Sequence, residues 1–202
     1  MPTRPYHHGN LRQVILASAG RILERDGISG LTLRAAAREA GVSHAAPKNH
    51  FGDLAGLLSE LAAIGFVRLR TEMLEDAARA ASPSARLHAI GRRYVRFAAG
   101  NPALFLLMFR GERLDRKRPA LRDAMAALLA VLAAGTGGTN AADPDREIGE
   151  REAREMVLAW SQVHGLAMLL IDGRLKPITN RLPENLGEEE FLSRLLDPDL
   201  QG

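Results

Sequence analysis

Apolar residues recur at intervals of three and four along almost the whole chain. No stretch alternates apolar with polar residues as a half-buried strand does, and no two apolar runs are joined by hairpin turn chemistry. That pattern confines the fold to an all-α architecture. With 202 residues, 46% of them hydrophobic, the chain has enough apolar surface for a sizeable core. Aromatics make up only 4%, so that core is mostly aliphatic, and the abundance of Ala, Leu, Arg and Glu favours helices.

Punctuation along the chain sets the expected helices. Asn10 is suited to cap a first helix with Leu11, Ile15, Ala19, Ile22 and Leu23 on one face, ending at Asp26-Gly27. Thr32 caps a second, short helix through Ala40, and a third short helix runs to about Phe51. Asp53 caps a long fourth helix whose apolar stripe is Leu54, Leu57, Leu58, Leu61 and Ile64. Pro83 and Asn101-Pro102 open helices over 83–99 and 102–110, and a further helix covers 119–134. A flexible loop, Gly135-Thr-Gly-Gly-Thr-Asn140, precedes a long helix opened by Asp143-Pro144 and closed near Gly173. The last helix spans 188–196.

Several function classes fall away. The chain has no cysteine, which excludes disulfides, thiolate metal sites and cysteine redox chemistry. The longest uninterrupted apolar helix segment, Ala124 to Ala134, is about 11 residues, short of the roughly 18 that span a bilayer. Arg12, Gln13 and Arg21 break the first apolar stretch, so no signal peptide is expected and the compartment is taken as cytoplasmic. No His-x-x-x-His pair, Glu-x-x-His motif or Gly-x-Ser-x-Gly turn occurs, so neither enzyme chemistry, a metal site nor a cofactor is expected. Adjacent His7 and His8 lack further ligands at helical spacing. A net charge of +3 does not by itself establish nucleic-acid binding. Four of the six histidines lie within the first 50 residues, which directs attention to the N-terminal quarter.

The tightest constellation there is Thr32-Leu-Arg-Ala-Ala-Ala-Arg-Glu-Ala-Gly41-Val-Ser43. Two short helices joined by a three-residue turn containing glycine make a helix-turn-helix. Gly41 is free to take the positive φ that ends the first of them, Val42 folds back onto its last turn, and Ser43 caps the next. Ala36, Ala37 and Ala40 are small enough for a close helix crossing. On the second of the two helices His44, Lys48 and Asn49 project on neighbouring turns, away from Val42 and Phe51. Lysine meets phosphate or guanine, and asparagine binds adenine through two hydrogen bonds. Thr32 and His50 are candidate phosphate contacts. Arg4, His7 and His8 form a basic arm ahead of the first helix, fit either to cross the backbone or to remain a tail.

This N-terminal segment resembles the TetR family. Tyr6-His-His-Gly-Asn-Leu11, Asp26-Gly27, Leu31-Thr-Leu33, Ala40-Gly-Val-Ser43 and His50-Phe51 follow the family's order and spacing over about 50 residues. The resemblance implies a three-helix DNA-binding head over residues 1–55, and a helical-bundle effector and dimerisation domain over 56–202. It also implies a homodimer on operator DNA, with Thr32, Lys48 and His50 at family phosphate-contact positions. Two departures stand out: Lys48 replaces the family's usual tyrosine, and Leu54 replaces its usual lysine near the start of the fourth helix. Pro47 also removes one early helix hydrogen bond.

From residue 56 onward the helices are more apolar and carry most of the aromatics. Tyr94 and Phe97, then Phe105, Met108 and Phe109, come from two consecutive helices, and Trp160, His164 and Met168 recur at helical spacing on the long penultimate one. Such a stripe is either plain core or the lining of an apolar cavity in which His164 and Tyr94 orient a small-molecule effector. Trp160-Ser-Gln-Val-His164-Gly165 resembles the tryptophan-histidine-glycine motif of one TetR effector-domain group. That likeness implies small-molecule binding inside the bundle and dimerisation through the last two long helices. Leu192, Leu195 and Leu196 form a one-sided stripe fit for that contact. Arg92, Arg93, Arg96 and the run from Arg110 to Arg118 read as solvated faces, the latter interspersed with Glu112 and Asp115. The reading is therefore a transcription repressor, released from an inverted-repeat operator when an effector binds.

Overall fold

The computed structural model describes residues 8–109, 111–136, 147–183 and 185–196. Every regular element among them is helical: α1 (His8–Gly30), α2 (Leu33–Ala40), α3 (Ala46–Phe51), α4 (Leu54–Ala78), α5 (Pro83–Gly100), α6 (Pro102–Phe109), a 3-10 turn (Gly111–Arg113), α7 (Pro119–Gly135), α8 (Glu150–Ile171), α9 (Lys176–Thr179) and α10 (Glu188–Leu195). Two compact units emerge, one of residues 1–66 with 103–125 and one of 67–102 with 126–202.

In the first unit α1 buries Ile15, Ala19, Ile22 and Leu23, the face read from the sequence, and α2 packs on it through the fully buried Ala36 and Ala37. Alanine at both positions lets the backbones approach, and neither carries side-chain entropy to lose. Phe51, Leu57, Leu58, Leu61, Phe105 and Leu121 complete this core. Ile64 departs from the expected stripe of α4 and is half exposed, because α4 is apolar on more than one face. The second unit is built on α5 against α8, with Tyr94, Val95 and Phe97 of α5 buried along with Met156, Leu166 and Ala167 of α8.

Helix ends follow the sequence in most places. Ser82 caps α5 through Ala85 N, 3.1 Å away, and Asp53 caps α4 by accepting from Gly56 N at 2.7 Å. Gly27, at φ 70° and ψ -173°, is non-helical and ends the first stretch of α1 where the sequence puts it; a short second stretch beyond this kink runs to Gly30. Three boundaries differ. Asn10 lies inside α1, which is already helical at His8. The helix expected from Asp143-Pro144 starts at Glu150, since 147–149 are extended or irregular; the dipeptide itself lies outside the described residues. Glu150 and Glu152 occupy the first turn of α8, where their charge complements the free N–H groups. Ser43, expected to cap the third helix, does not: α3 begins at Ala46, and Ser43 instead accepts from Ala46 N through its backbone carbonyl at 3.0 Å. The cause is Pro47, whose fixed φ and missing N–H suit the first turn of a helix that begins at Ala46.

Candidate nucleic-acid interface and effector site

The α2–α3 pair is held by its turn. Thr32 Oγ1 accepts from Ala35 N at 3.0 Å and opens α2. Gly41, at φ 67° and ψ 32°, closes it: Gly41 N donates to Arg38 O (3.2 Å) and Val42 N to Ala37 O (3.0 Å). Those paired bonds satisfy the last carbonyls of α2 and turn the chain into α3. Thr32, Ser43, His44, Lys48 and Asn49 are all exposed, whereas Ala46, Pro47 and Phe51 are buried and His50 is half-buried. α3 therefore shows one face to solvent with Lys48 and Asn49 on it, and its other face to the core. His44, expected on the helix, sits instead in the turn ahead of α3. The arm residues Arg4 and His7 lie outside the described residues.

The sequence reading missed what holds the end of α3. Arg118, in the connection between α6 and α7, donates to the carbonyl of Phe51, the last residue of α3. Its Nη1 stands 3.7 Å from Glu60 Oε1, and Glu60 is also paired with Arg12 at 2.6 Å. The Arg12 guanidinium lies over the Phe51 ring, 5.6 Å from its centroid. Two further bonds fasten the connection to α4: Asp115 N donates to Ser59 Oγ (2.8 Å), and the fully buried Ser59 passes its own proton to Ala55 O (2.7 Å). Gly56 makes room for the Arg118 guanidinium; a Cβ there would lie 2.7 Å from Arg118 Cζ and closer to Phe51 O. By sequence Arg118 reads as one of a run of solvated charges, and only its proximity to two glycines in space distinguishes it.

Of the residues expected to bind an effector, Phe105, Met108 and Phe109 belong to the first unit. Phe109 packs against Phe105 (4.8 Å between centroids) and Phe66 (5.5 Å), and Met108 lies close against Gly65. In the second unit Phe97 is buried beneath the Arg68 guanidinium at 5.4 Å, and Met168 is half-buried. Tyr94, Trp160 and His164 come together. Tyr94 Oη lies 2.9 Å from His164 Nδ1 and accepts from Trp160 Nε1 at 3.3 Å. Burial pushes the Tyr94 phenol well above its ordinary value, partly opposed by the Trp160 hydrogen bond, so it stays protonated. Burial also lowers His164 below its ordinary 6.5, which favours neutral imidazole. Indole only donates, so the arrangement that satisfies all three groups sends the phenolic proton to Nδ1 and leaves the imidazole proton on Nε2.

A shallow groove of about 290 Å³ in the same unit is lined by Arg92, Val95, Arg96, Leu170, Leu192 and Leu196 among others. Leu192 and Leu196 pack against the buried Val95, Leu166 and Leu175 of their own chain, so only Leu195 of the expected stripe is left exposed. On α8, Val157, Leu158, Trp160 and Leu169 are exposed apolar residues. No helix among the described residues is long and apolar enough to cross a membrane.

Residues 87–197 match a family model described as tetracyclin repressor-like, C-terminal domain. A curated relative, an uncharacterized HTH-type transcriptional regulator, YobS, of Bacillus subtilis, is 28% identical over 97 residues. That match covers 48% of this chain and spans about half (50%) of the relative's length. A solved protein of unknown function from Rhodococcus sp. RHA1 is 34% identical, with 96% of this chain and 93% of that one covered and a TM-score of 0.73. AibR, solved in complex with isovaleryl coenzyme A and operator DNA, shares the fold at 15% identity and a TM-score of 0.59, over 91% of this chain and 94% of its own.

Proposed function

Because the chain belongs to the TetR family of DNA-binding transcriptional regulators, we propose that it is a homodimeric repressor released from an inverted-repeat operator by a small-molecule effector. Base edges are read from residues 1–55, while effector binding and dimerisation belong to 56–202. The observation that carries the reading is the capped α2–α3 turn, which leaves Thr32, Ser43, His44, Lys48 and Asn49 together on an exposed surface. Asn49 and His44 contact bases; Lys48, Thr32 and His50 contact phosphates. One six-residue helix reads too few bases to be selective alone, so two heads related by a two-fold axis act together.

The effector is mainly apolar and enters beside Tyr94, Trp160 and His164, where a fixed hydrogen-bond chain orients polar atoms within aromatic surroundings. Phe97 and Met168, of the same unit, line the same site. AibR, complexed with both an acyl coenzyme A and operator DNA, supports the pairing of ligand and DNA on this fold. Dimerisation uses the exposed apolar residues of α8 together with Leu195 of α10. The protein acts in the cytoplasm, and catalysis is no part of its role. Selection from a pool of random duplexes tests the whole reading: an enriched symmetric site is expected, and a pool that shows no enrichment rejects it.

A further inference from the structure

We propose that the connection between α6 and α7 carries a second DNA-contacting site, in which Arg116 and Lys117 neutralise phosphates of the operator backbone beside α3. This rests on the proposed DNA-binding function and extends it to residues far outside the helix-turn-helix in sequence. The first ground is position. Asp115 N is bonded to Ser59 Oγ at 2.8 Å and Arg118 to the Phe51 carbonyl, so the two residues between them are pinned next to the end of α3. A Cβ on Gly52 would stand 3.6 Å from Arg118 Nη2, and Gly52 N is bonded to Lys48 O at 2.8 Å. The anchor of the connection is thus one helical turn from Lys48, within the same compact unit.

The second ground is charge. Acidic groups around the anchor are consumed internally. Asp115 accepts from Lys117 N at 3.1 Å and lies 3.6 Å from Arg118 Nε, while Glu60 is paired with Arg12 and Arg118. Arg118 itself is turned inward. Exposed Glu112 and Arg113 offset each other in formal charge, which leaves two cations, Arg116 and Lys117, exposed and without an ion pair among the described residues. Two uncompensated cations fixed beside a DNA-reading helix fit a polyanionic backbone, which carries one charge per about 1.7 Å of duplex axis. Such contacts add affinity and carry no sequence information.

The test uses the full chain and the duplex recovered by selection, with binding followed by fluorescence anisotropy across a range of salt concentrations. An Arg116→Gln/Lys117→Gln double variant is compared with Lys48→Gln and the parent. Losing two phosphate contacts in each protomer of a dimer should make the slope of log K against log salt shallower by about 3.6. Melting temperature and base preference should stay as in the parent. An unchanged slope in the double variant, while Lys48→Gln flattens it, overturns this inference and leaves the DNA-binding reading standing. A changed base preference overturns it too, because backbone contacts do not choose sequence. If no variant alters the slope, Lys48→Gln included, the DNA-contact assignments of the proposed function fail together with it.

Discussion

Replacing Gly56 with alanine should injure DNA recognition from a position that touches no DNA. The added Cβ would meet Arg118 Cζ at 2.7 Å, where carbon pairs rest at about 3.5–4.0 Å, and would press harder still on Phe51 O. The guanidinium can swing away, but Phe51 O is backbone and ends the helix bearing Lys48 and Asn49. Relief therefore needs about 1 Å of movement at the end of α3. Overpacking costs about 1–3 kcal/mol, and losing a hydrogen bond from a charged donor costs about 1.5–3 kcal/mol. The helix propensity of alanine over glycine returns about 1 kcal/mol. A net loss of about 3 kcal/mol lowers the melting temperature by about 6–12 °C for a chain of this size. Operator affinity should fall at least about fivefold, since a displaced base contact is worth about 1–3 kcal/mol. Calorimetry and anisotropy on the selected duplex measure both effects. Gly20→Ala serves as the control: its Cβ meets nothing within 4 Å, so helix propensity alone should make it neutral or slightly stabilising. A Gly56→Ala protein that melts and binds like the parent would refute the reasoning.

Thr32→Ala deletes the acceptor for Ala35 N and should cost about 1 kcal/mol, read as a lower melting temperature with weaker operator binding. In a proton-NMR titration His164 should titrate below 6.5 because burial disfavours its charged form. Between 6.5 and that lowered value the unfolded chain binds more protons than the folded one, so stability falls as pH drops through the window and levels off beneath it; a His164 signal titrating at or above 6.5 contradicts this. His164→Ala should blunt the effector response while leaving operator binding without effector intact, and an unaltered induction curve would make His164 core filler. Leu195→Glu should give a monomer by light scattering, whereas an unchanged dimer would remove α10 from the interface.

Local chemistry made the helix-turn-helix legible. The Thr32 cap, the left-handed Gly41 and the small Ala36–Ala37 pair act over one to five residues, so composition and spacing specify them directly. The aromatic-histidine stripe was legible as a stripe, and Tyr94, Trp160 and His164 did converge from α5 and α8. What failed was local competition between two plausible signals: Ser43 is a good cap by type, but Pro47 fixed the start of α3 three residues later. The leucines of α10 were legible only as a stripe. An apolar stripe says that a partner exists, not which one, and Leu192 and Leu196 found theirs in the core of their own chain. Arg118 was the least legible of all. Its bond to Phe51 spans 67 positions, and nothing within either segment marks them as neighbours. An arginine between Lys117 and Pro119 has the sequence signature of a solvated charge. Only the fold reveals that Gly56 lacks a Cβ where that guanidinium lies. Non-local polar bonds of this kind act on side chains that local pattern leaves unconstrained, so they are where function escapes a reading by period and cap. The same bond makes the connection between α6 and α7 part of the compact unit that holds the helix-turn-helix, although the whole of α4, α5 and α6 separates it from α3 along the chain.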